Sequence, residues 1–283
     1  MDRSEAHVIK TPIAHSRATT WSLLAFWAAY ALGMSLLVVF VQILKLWPAN
    51  PLFALTSVVF FLFSINHALL NLGARRGLAL FVLTFAGSLA FESLNLITGG
   101  WIFGSLQYTS KLGVKLFDLV PLLIPLTWFT VGYLSLCIAR RIVKPWPCTF
   151  WQRVRLAAIA GAIMTSWDLG LDPVMVARGH WLWLHPGLYF GIPLHNYAGW
   201  WLTAFCFYLA WLWSTKTGPA DSMFDGSRHY RLLAPTAYAI TCVSMTIANA
   251  NMGQVGPAVI GFLAMGAFAL YWLRETGLKQ QQD

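Results

Sequence analysis

Charged residues are scarce in this sequence. Asp, Glu, Lys and Arg together make up 10% of the 283 residues, whereas hydrophobic residues make up 58%, including 15 Trp and 19 Phe. A soluble domain carries about 25% charged residues, so this shortage excludes an ordinary soluble fold. We predict an all-α, polytopic integral membrane helix bundle that forms a single transmembrane domain over residues 1–283, with polar cytoplasmic tails at 1–20 and 275–283.

Patterns that bind metals or cofactors are missing as well. The 4 cysteines follow neither a zinc-site spacing nor a disulfide framework, and no GxSxG, Walker or dinucleotide-binding motif is present. The sequence also lacks the Asp-rich pairs that hold magnesium diphosphate and the histidine boxes of membrane di-iron enzymes. We therefore expect neither a metal nor a cofactor.

Long apolar runs are abundant by contrast. A transmembrane helix needs about 20 predominantly apolar residues. Eight segments qualify, but the sixth and the seventh are shorter and more polar, which leaves seven spans as an alternative. The candidate spans cover residues 21–44, 52–72, 77–97, 119–141, 152–171, 197–214, 232–250 and 254–273.

The basic residues are distributed unevenly. The formal net charge is +9, and eight spans would put 15 of the 19 Lys and Arg residues in the tails, in the even-numbered loops or in the span ends next to those loops. The odd-numbered loops would carry only Lys45, Lys111, Lys115 and Arg178. By the positive-inside rule, both termini then face the cytoplasm. Because topology explains the basic excess, we do not expect nucleic acid as a partner.

Two loops on the opposite, non-cytoplasmic side have an unusual composition. Residues 98–118 and 172–196 are rich in Gly, Pro and aromatic residues and contain few charges. Trp and Tyr favour the membrane interface, and irregular backbone at membrane depth must pack on protein or line a cavity. We expect both loops to be interfacial or re-entrant.

Four of the ten acidic residues, Glu92, Asp118, Asp168 and Asp172, lie at the ends of apolar spans on this same side. A charge at the centre of a membrane helix costs about 2.5–3.5 kcal/mol on insertion scales, so such residues are functional candidates by default. Each also has a structural interpretation: Glu92 could bond a neighbouring helix, Asp172 precedes Pro173 and could cap a short helix, and Asp118 could cap the fourth span.

Glu92 and the Asp168–Asp172 pair are the strongest candidates for catalysis. Glu92 shares a helix face with Ser88 and Asn95, one turn inside the end of its span. Desolvation disfavours the charged form of a carboxyl group, which suits a general acid that must hold its proton. Asp168 and Asp172 are four residues apart on one face, so their protonation should be coupled.

Substrate contacts are expected from polar and aromatic residues near these acids. Several aromatics surround the proposed site in sequence, Trp181, Trp183 and Trp200 among them. An interfacial belt best explains most of these aromatics, although a subset could stabilise a cation by about 0.5–2 kcal/mol each. A lone His67 in the second span is best explained by a contact between helices. The predicted substrate-binding residues are Trp101, Tyr108, Asp118, Trp128, Trp167, His195 and Asn196.

Five ordered motifs resemble those of one known family. They are ESLNLITG at residues 92–99, FGSLQYT at 103–109, VPLLIPLTW at 120–128, DPVMVARGHWLW at 172–183 and YFGIPLHNYAGW at 189–200. Together they resemble the bacterial and archaeal carotenoid biosynthesis membrane proteins, a family that includes carotenoid hydratases, over roughly residues 85–205.

The resemblance implies addition of water to the terminal C1–C2 double bond of an acyclic (psi) carotenoid end group, which gives a tertiary alcohol. Glu92 would then be the acid, and Asp168 and Asp172 would orient and deprotonate the water. The expected substrate is then a long-chain carotenoid. The protein would lie in the lipid bilayer of a bacterial inner membrane. The alternatives are a membrane carrier or channel for a small or apolar solute, and a different carotenoid end-group-modifying enzyme. The oligomeric state is not predicted.

Overall fold

A computed structural model describes residues 17–44, 49–143, 149–215 and 228–278, which form eight long α-helices. The helices are α1 (Arg17–Leu36), α2 (Ala49–Leu72), α3 (Ala74–Ile97), α4 (Leu123–Ile142), α5 (Phe150–Ala177), α6 (Leu194–Ser214), α7 (Arg228–Asn251) and α8 (Val255–Leu278). A π-helical segment, Leu37–Ile43, continues α1. The predicted tails lie largely outside the described residues, although α1 and α8 each extend by a few residues into the ranges predicted as tails.

Seven of the helices in the described ranges are long and apolar enough to cross a membrane, and α6 is the exception because it is rich in Trp and Tyr. It nevertheless lies along the full length of α5: Asn196 meets Asp172 near its start, and Trp213 contacts Phe150 near its end. At 1.5 Å per residue its 21 residues extend about 31 Å, the thickness of a hydrocarbon core. The predicted all-α polytopic bundle is confirmed, with α6 as an eighth helix.

The helix α4 lies at the centre of the bundle. In this helix 78% of the span is buried, against 17% for α1, and α4 contacts α2, α3, α5 and α7. Close contacts between membrane helices rely on small residues. At Gly261 of α8, an added Cβ would lie 2.9 Å from the Cα of Gly170 in α5, so this glycine serves helix packing.

The helix α5 is longer than the sequence predicts. A loop is predicted from residue 172 onward, but α5 continues to Ala177 with Pro173 inside it. The predicted boundary is therefore wrong, and Asp172 caps no helix. A proline cannot donate to the carbonyl four residues earlier. The hydroxyl of Tyr189 donates to this free carbonyl oxygen of Leu169 at 3.0 Å instead. A contact from a distant loop thus supports the helix at its proline.

The two aromatic loops meet in a small antiparallel ribbon. Their strands are β1 (Leu106–Tyr108), β2 (Lys115–Leu116), β3 (Val120–Pro121) and β4 (Trp181–Trp183). The ribbon consists of β1 and β4, which pair so that Tyr108 lies opposite Trp181; β2 and β3 pair in a separate two-stranded sheet. Thr109 joins the loops beside the ribbon, because its backbone N–H and its hydroxyl both donate to the carbonyl of His180. We call this end of the bundle the ribbon end.

Near the opposite end, a buried polar contact joins α2 to α4. The Nδ1 atom of His67 lies 2.5 Å from the hydroxyl of Tyr133, and the amide of Asn71 donates to the same hydroxyl at 3.1 Å. The interpretation of His67 as a contact between helices is confirmed.

Candidate active site

A cavity lies beneath the ribbon, among α3, α4, α5 and α6. It offers about 40 Å³ to water-sized molecules, and one water needs about 10–15 Å³ of such space, so a few waters or part of a small organic group fit. Its polar lining comprises Glu92, Tyr108, Thr127, Asp168, Asp172 and Asn196, and its aromatic lining comprises Phe103, Trp128, Trp167, Trp181, Trp183 and Trp200. We call this space the carboxyl cavity.

Glu92 enters the carboxyl cavity from α3 and is only 3% exposed. The hydroxyl of Tyr108 donates to its Oε2 at 2.9 Å, and the indole N–H of Trp128 donates to its Oε1 at 3.2 Å. Burial, followed by the nearby Glu92, raises the pKa of Tyr108 well above its ordinary value, so this hydroxyl remains a donor. Both donors would stabilise the negative charge that appears on Glu92 once it releases a proton.

Asp168 and Asp172 face the same cavity from one side of α5, and each is 1% exposed. The side-chain amide of Asn196 donates to Oδ2 of Asp168 at 3.0 Å and to Oδ2 of Asp172 at 2.9 Å. An amide NH₂ group has two protons, so one Asn side chain bridges both carboxyl groups and sets their separation.

The ribbon supplies donors to both groups of acids. Trp181 donates to Oδ1 of Asp172 at 2.7 Å and Trp183 donates to the same oxygen at 3.4 Å. These two residues belong to β4, whereas Tyr108, the donor to Glu92, lies on β1 directly opposite Trp181. Because side chains alternate along a strand, one face of the ribbon points all three side chains into the cavity. The ribbon therefore connects the acid on α3 with the pair on α5.

Indole rings form much of the remaining wall. Trp128 and Trp200 stack with centroids 4.1 Å apart and planes 15° from parallel, and Trp167 lies 6.4 Å from Trp200 at 40°. Trp128 is 1% exposed and Trp167 is 4% exposed. Indole faces attract cations most strongly when water is excluded, so this wall is suited to a positive charge that develops inside the cavity.

Asn95 shares the buried face of α3 with Glu92, as the sequence predicts, but it acts on the backbone of the neighbouring loop. Its Oδ1 accepts from the backbone N–H groups of Ile102 and Phe103 at 3.0 and 2.8 Å, and its amide donates to the carbonyl of Gly104 at 3.0 Å. These bonds hold the loop that leads into β1. Asn95 thereby helps to position Tyr108.

The structure does not bring three of the predicted binding residues to the carboxyl cavity. Trp101 is 79% exposed, because the turn after α3 directs it away from the bundle. Asp118 is exposed in the turn between β2 and β3, where it has φ of 57°, and it caps no helix. His195 is exposed at the start of α6, where its neighbour Asn196 points inward. The other predicted residues, Tyr108, Trp128, Trp167 and Asn196, line the cavity together with the three acids.

Sequence reasoning missed Trp181, Trp183 and Trp200 as lining residues, since it assigned them to an interfacial belt. A signal was present for two of them. The segments LQY and WLW each place bulky residues at alternate positions, which is the pattern of short strands with one inward face. Only the pairing of the two loops shows that this face meets the acids.

Within the part of the chain that the structure describes, no three His, Cys, Asp or Glu side chains form a group that could hold a metal ion. The chemistry that the carboxyl cavity can carry out with its own side chains is proton transfer. Glu92 on one side and the Asp168–Asp172 pair on the other line a single small space, which would let one group give a proton and another take one.

Comparison with known proteins agrees with the resemblance seen in the sequence. Residues 49–268 match the sequence profile of a family described as carotenoid biosynthesis protein. Bisanhydrobacterioruberin hydratase from Haloarcula japonica is 34% identical over 160 residues, which cover 54% of this chain and 51% of that relative. The chain thus spans about half the length of the curated relative it matches. No solved structure matches the chain significantly.

Proposed function

The chain belongs to the carotenoid biosynthesis protein family, and from this premise we propose that it hydrates the terminal C1–C2 double bond of an acyclic carotenoid without a cofactor. One observation carries the proposal: three buried carboxyl groups from two helices line one small cavity whose other walls are neutral donors, indole rings and apolar side chains. The hydratase activity in the name of the Haloarcula relative supports the same reaction type.

The reaction begins with protonation of the alkene. Glu92 transfers its proton to C2, the less substituted carbon, and the electron pair of the double bond forms the new C–H bond. A tertiary carbocation remains at C1. The hydrogen bonds from Tyr108 and Trp128 then stabilise the carboxylate left on Glu92, which makes the acid stronger at the moment of transfer.

Water completes the addition. A water molecule beside Asp168 and Asp172 attacks C1, and the pair accepts the proton that the water loses as the C–O bond forms. Two carboxyl groups bridged by one amide cannot easily both be charged, so a single negative charge shared by the pair faces the cation. Return of a proton to Glu92 restores the enzyme. The sum is alkene plus water giving a tertiary alcohol.

The indole wall stabilises the carbocation until water attacks it. Trp128, Trp167 and Trp200 present π-electron density to the cavity, and a desolvated cation–π contact contributes up to about 2 kcal/mol. The small cavity also limits the number of waters near the cation. Capture by the water held at the Asp pair therefore competes well against side reactions.

The reaction fits a protein embedded in the bilayer. A long polyene dissolves in lipid, so a catalyst within the hydrocarbon meets its substrate there. We propose a cell-membrane location with both termini in the cytoplasm, because 15 of the 19 basic residues would then lie in the tails, in the cytoplasmic loops or in the span ends next to them. In this orientation the ribbon end faces the non-cytoplasmic side.

The proposal is tested by Glu92→Gln in a bacterial host that makes lycopene. The amide keeps the shape of the carboxyl group but cannot supply its proton. We expect wild-type chain to add the mass of one water to the pigment, and the variant to lower the initial rate by about 10²–10⁴-fold, the usual contribution of a positioned acid. Mass spectrometry of extracted pigments provides the measurement.

Glu275→Gln is the matched control, since residue 275 lies in the last turns of α8, at the end of the bundle opposite the ribbon. It should hydrate the pigment at the wild-type rate. Wild-type levels of hydrated pigment from Glu92→Gln would refute the acid assignment. An unchanged pigment in the presence of well-expressed wild-type protein would refute the reaction itself.

A further inference from the structure

A second cavity adjoins the carboxyl cavity, and its lining is mainly apolar and contains no charged side chain. It offers about 90 Å³ among α1, α2, α4, α5 and α7. Five residues line both spaces: Ile124, Thr127, Trp167, Leu171 and Trp181. The two spaces therefore share one wall, which these five residues build.

The shared wall contains a polar atom without a partner. Trp167 is 4% exposed, and its indole N–H makes no hydrogen bond to any described residue. A buried donor of this kind costs free energy unless something outside the protein accepts from it. A water, the hydroxyl of a product or the π-electrons of an alkene at this boundary would meet that need.

A third space continues the apolar one. It is a groove of about 520 Å³ between α1 with its π-helical continuation, α7 and α8. Met34 lines both the second cavity and this groove. The hydroxyls of Ser35 and Thr236 in the groove donate to carbonyls of their own helices at 2.8 and 2.7 Å, so the surface behaves as apolar.

The groove has the dimensions of an extended chain. Its lining on α7 runs from Pro235 to Ile247, a rise of about 18 Å at 1.5 Å per residue. Met34 stands where the groove meets the second cavity, and an unbranched, flexible methionine can move aside more readily than other apolar side chains. A narrow series of joined spaces suits a long thin molecule better than a compact one.

We propose that these three spaces form one binding path for the polyene of the substrate, an inference that rests on the proposed function. The reacting end group lies in the carboxyl cavity, and the chain passes Trp167 into the second cavity. It continues past Met34 into the groove between α1, α7 and α8. The path ends at the carboxyl groups of the first cavity, which favours the carotenoid over a membrane lipid as the bound molecule. A lipid acyl chain has no group that would react with these acids.

The proposed path predicts that blocking the groove affects a long carotenoid more than a short one. Ala239 lines the groove and is half-buried, so Ala239→Trp fills the groove without entering the bundle core. Ala267→Trp on α8 is the matched control, because Ala267 is exposed and does not line the groove. Each protein is produced in two hosts, one that makes lycopene and one that makes a shorter acyclic carotenoid with the same end groups.

Two readouts are needed, the hydrated fraction of each pigment and the pigment that copurifies with the protein in detergent. We expect Ala239→Trp to lower hydration and retention of lycopene at least tenfold relative to the shorter pigment, and Ala267→Trp to match wild type. Hydration of the shorter pigment also shows that the variant is folded.

The outcomes separate this inference from the proposed reaction. If wild type hydrates both pigments and Ala239→Trp treats them as wild type does, the path is wrong while the reaction stands. Wild type could instead retain lycopene without adding water to it, while Ala239→Trp retains none. In that case the path stands and the proposed reaction is wrong. Copurified phospholipid in place of pigment would overturn the path.

Discussion

At the scale of single residues, neutral donors hold the acids of the carboxyl cavity in place. Glu92 accepts from Tyr108 and Trp128, and Asp172 accepts from Trp181, all within 3.2 Å. Hydrogen bonds to charged acceptors contribute about 1.5–3 kcal/mol each, roughly twice a neutral bond. Such neutral donors orient a carboxylate and leave its charge in place. A Lys or Arg partner would neutralise that charge. The acids thus keep the proton-transfer capacity that the proposed reaction needs.

Trp181→Phe tests this arrangement, since it keeps an aromatic ring and removes the N–H that donates to Asp172. We propose that this pair activates the water, so losing the hydrogen bond should raise the activation free energy by about 1.4 kcal/mol, which corresponds to an approximately tenfold lower hydration rate. The measurement is the initial rate of pigment hydration in membranes with equal amounts of protein.

Trp201→Phe serves as its control. Trp201 also loses an indole hydrogen bond on substitution, here to the carbonyl of Ala158 at 3.2 Å, but it does not line the carboxyl cavity. Its rate should stay within about twofold of wild type. Equal losses from both substitutions would mean that Trp181 acts only through packing.

At the scale of structural elements, the ribbon and the end of α5 build the site together. The ribbon joins residues about 75 positions apart, Tyr108 and Trp181, and presents one face to the acids. The continuation of α5 beyond Pro173 keeps Asp172 on the same helical face as Asp168. Had the helix ended at residue 171, the spacing of this pair would no longer follow from helix geometry.

His180 lies between α5 and β4, and we expect it to make the stability of the folded protein depend on pH. His180 is 1% exposed, its ring nitrogens have no hydrogen-bond partner among the described residues, and its ring stacks on Phe53 at 5.5 Å. Burial, then the positive charges of Arg178 and Lys111, lowers the pKa of His180 from 6.5 to about 4. The folded state therefore holds the neutral ring.

The sign of the effect on stability follows from this lowered pKa. Between pH 6.5 and about 4 the unfolded chain binds a proton at His180 that the folded chain does not, so stability is fully present above pH 6.5 and falls as the pH drops through this window. We expect this contribution to lower the thermal midpoint of detergent-solubilised wild type, from pH 7 to pH 5, relative to that of a variant without the imidazole.

His180→Phe is that variant, because a phenyl ring keeps the stack on Phe53 and binds no proton; its midpoint should rise relative to that of wild type as the pH falls from 7 to 5. The backbone bonds of residue 180 to Thr109 and Met175 do not depend on its side chain. An identical pH dependence in the variant and in wild type would show that other groups govern acid stability.

At the scale of the whole molecule, the carboxyl groups that are buried among the described residues are concentrated at one end. Glu92, Asp168 and Asp172 lie at the ribbon end, whereas the buried pair near the other end, His67 and Tyr133, bonds α2 to α4. A proton relay across the bilayer needs groups at several depths. The arrangement favours a one-sided chamber over a carrier or channel.

The orientation of this chamber can be measured with reporter fusions. Alkaline phosphatase fused after Gly113, in the ribbon-end loops, should be active, because that reporter folds only outside the cytoplasm. The same reporter fused after Val143, at the other end of α4, should be inactive, and a C-terminal green fluorescent protein should fluoresce. The reverse pattern of activities would invert the proposed topology and place the ribbon end in the cytoplasm.

The sequence by itself determined the membrane class, the helical bundle, the family and the three acids of the carboxyl cavity. These features depend on local quantities: the length of apolar runs, helical spacing along one segment, and short ordered motifs. A carboxyl group such as Glu92 in an apolar run is conspicuous wherever its partners lie.

Only the tertiary structure decided which aromatic residues face the acids. Trp181 and Trp183 point inward because β4 pairs with β1, and Trp101, Asp118 and His195 stay outside because of the turns that carry them. It also decided that α5 passes through Pro173, since the bond from Tyr189 that supports it comes from a distant loop. Pairing register and long-range hydrogen bonds leave no periodic signal within one segment, which is why the sequence alone could not reveal them.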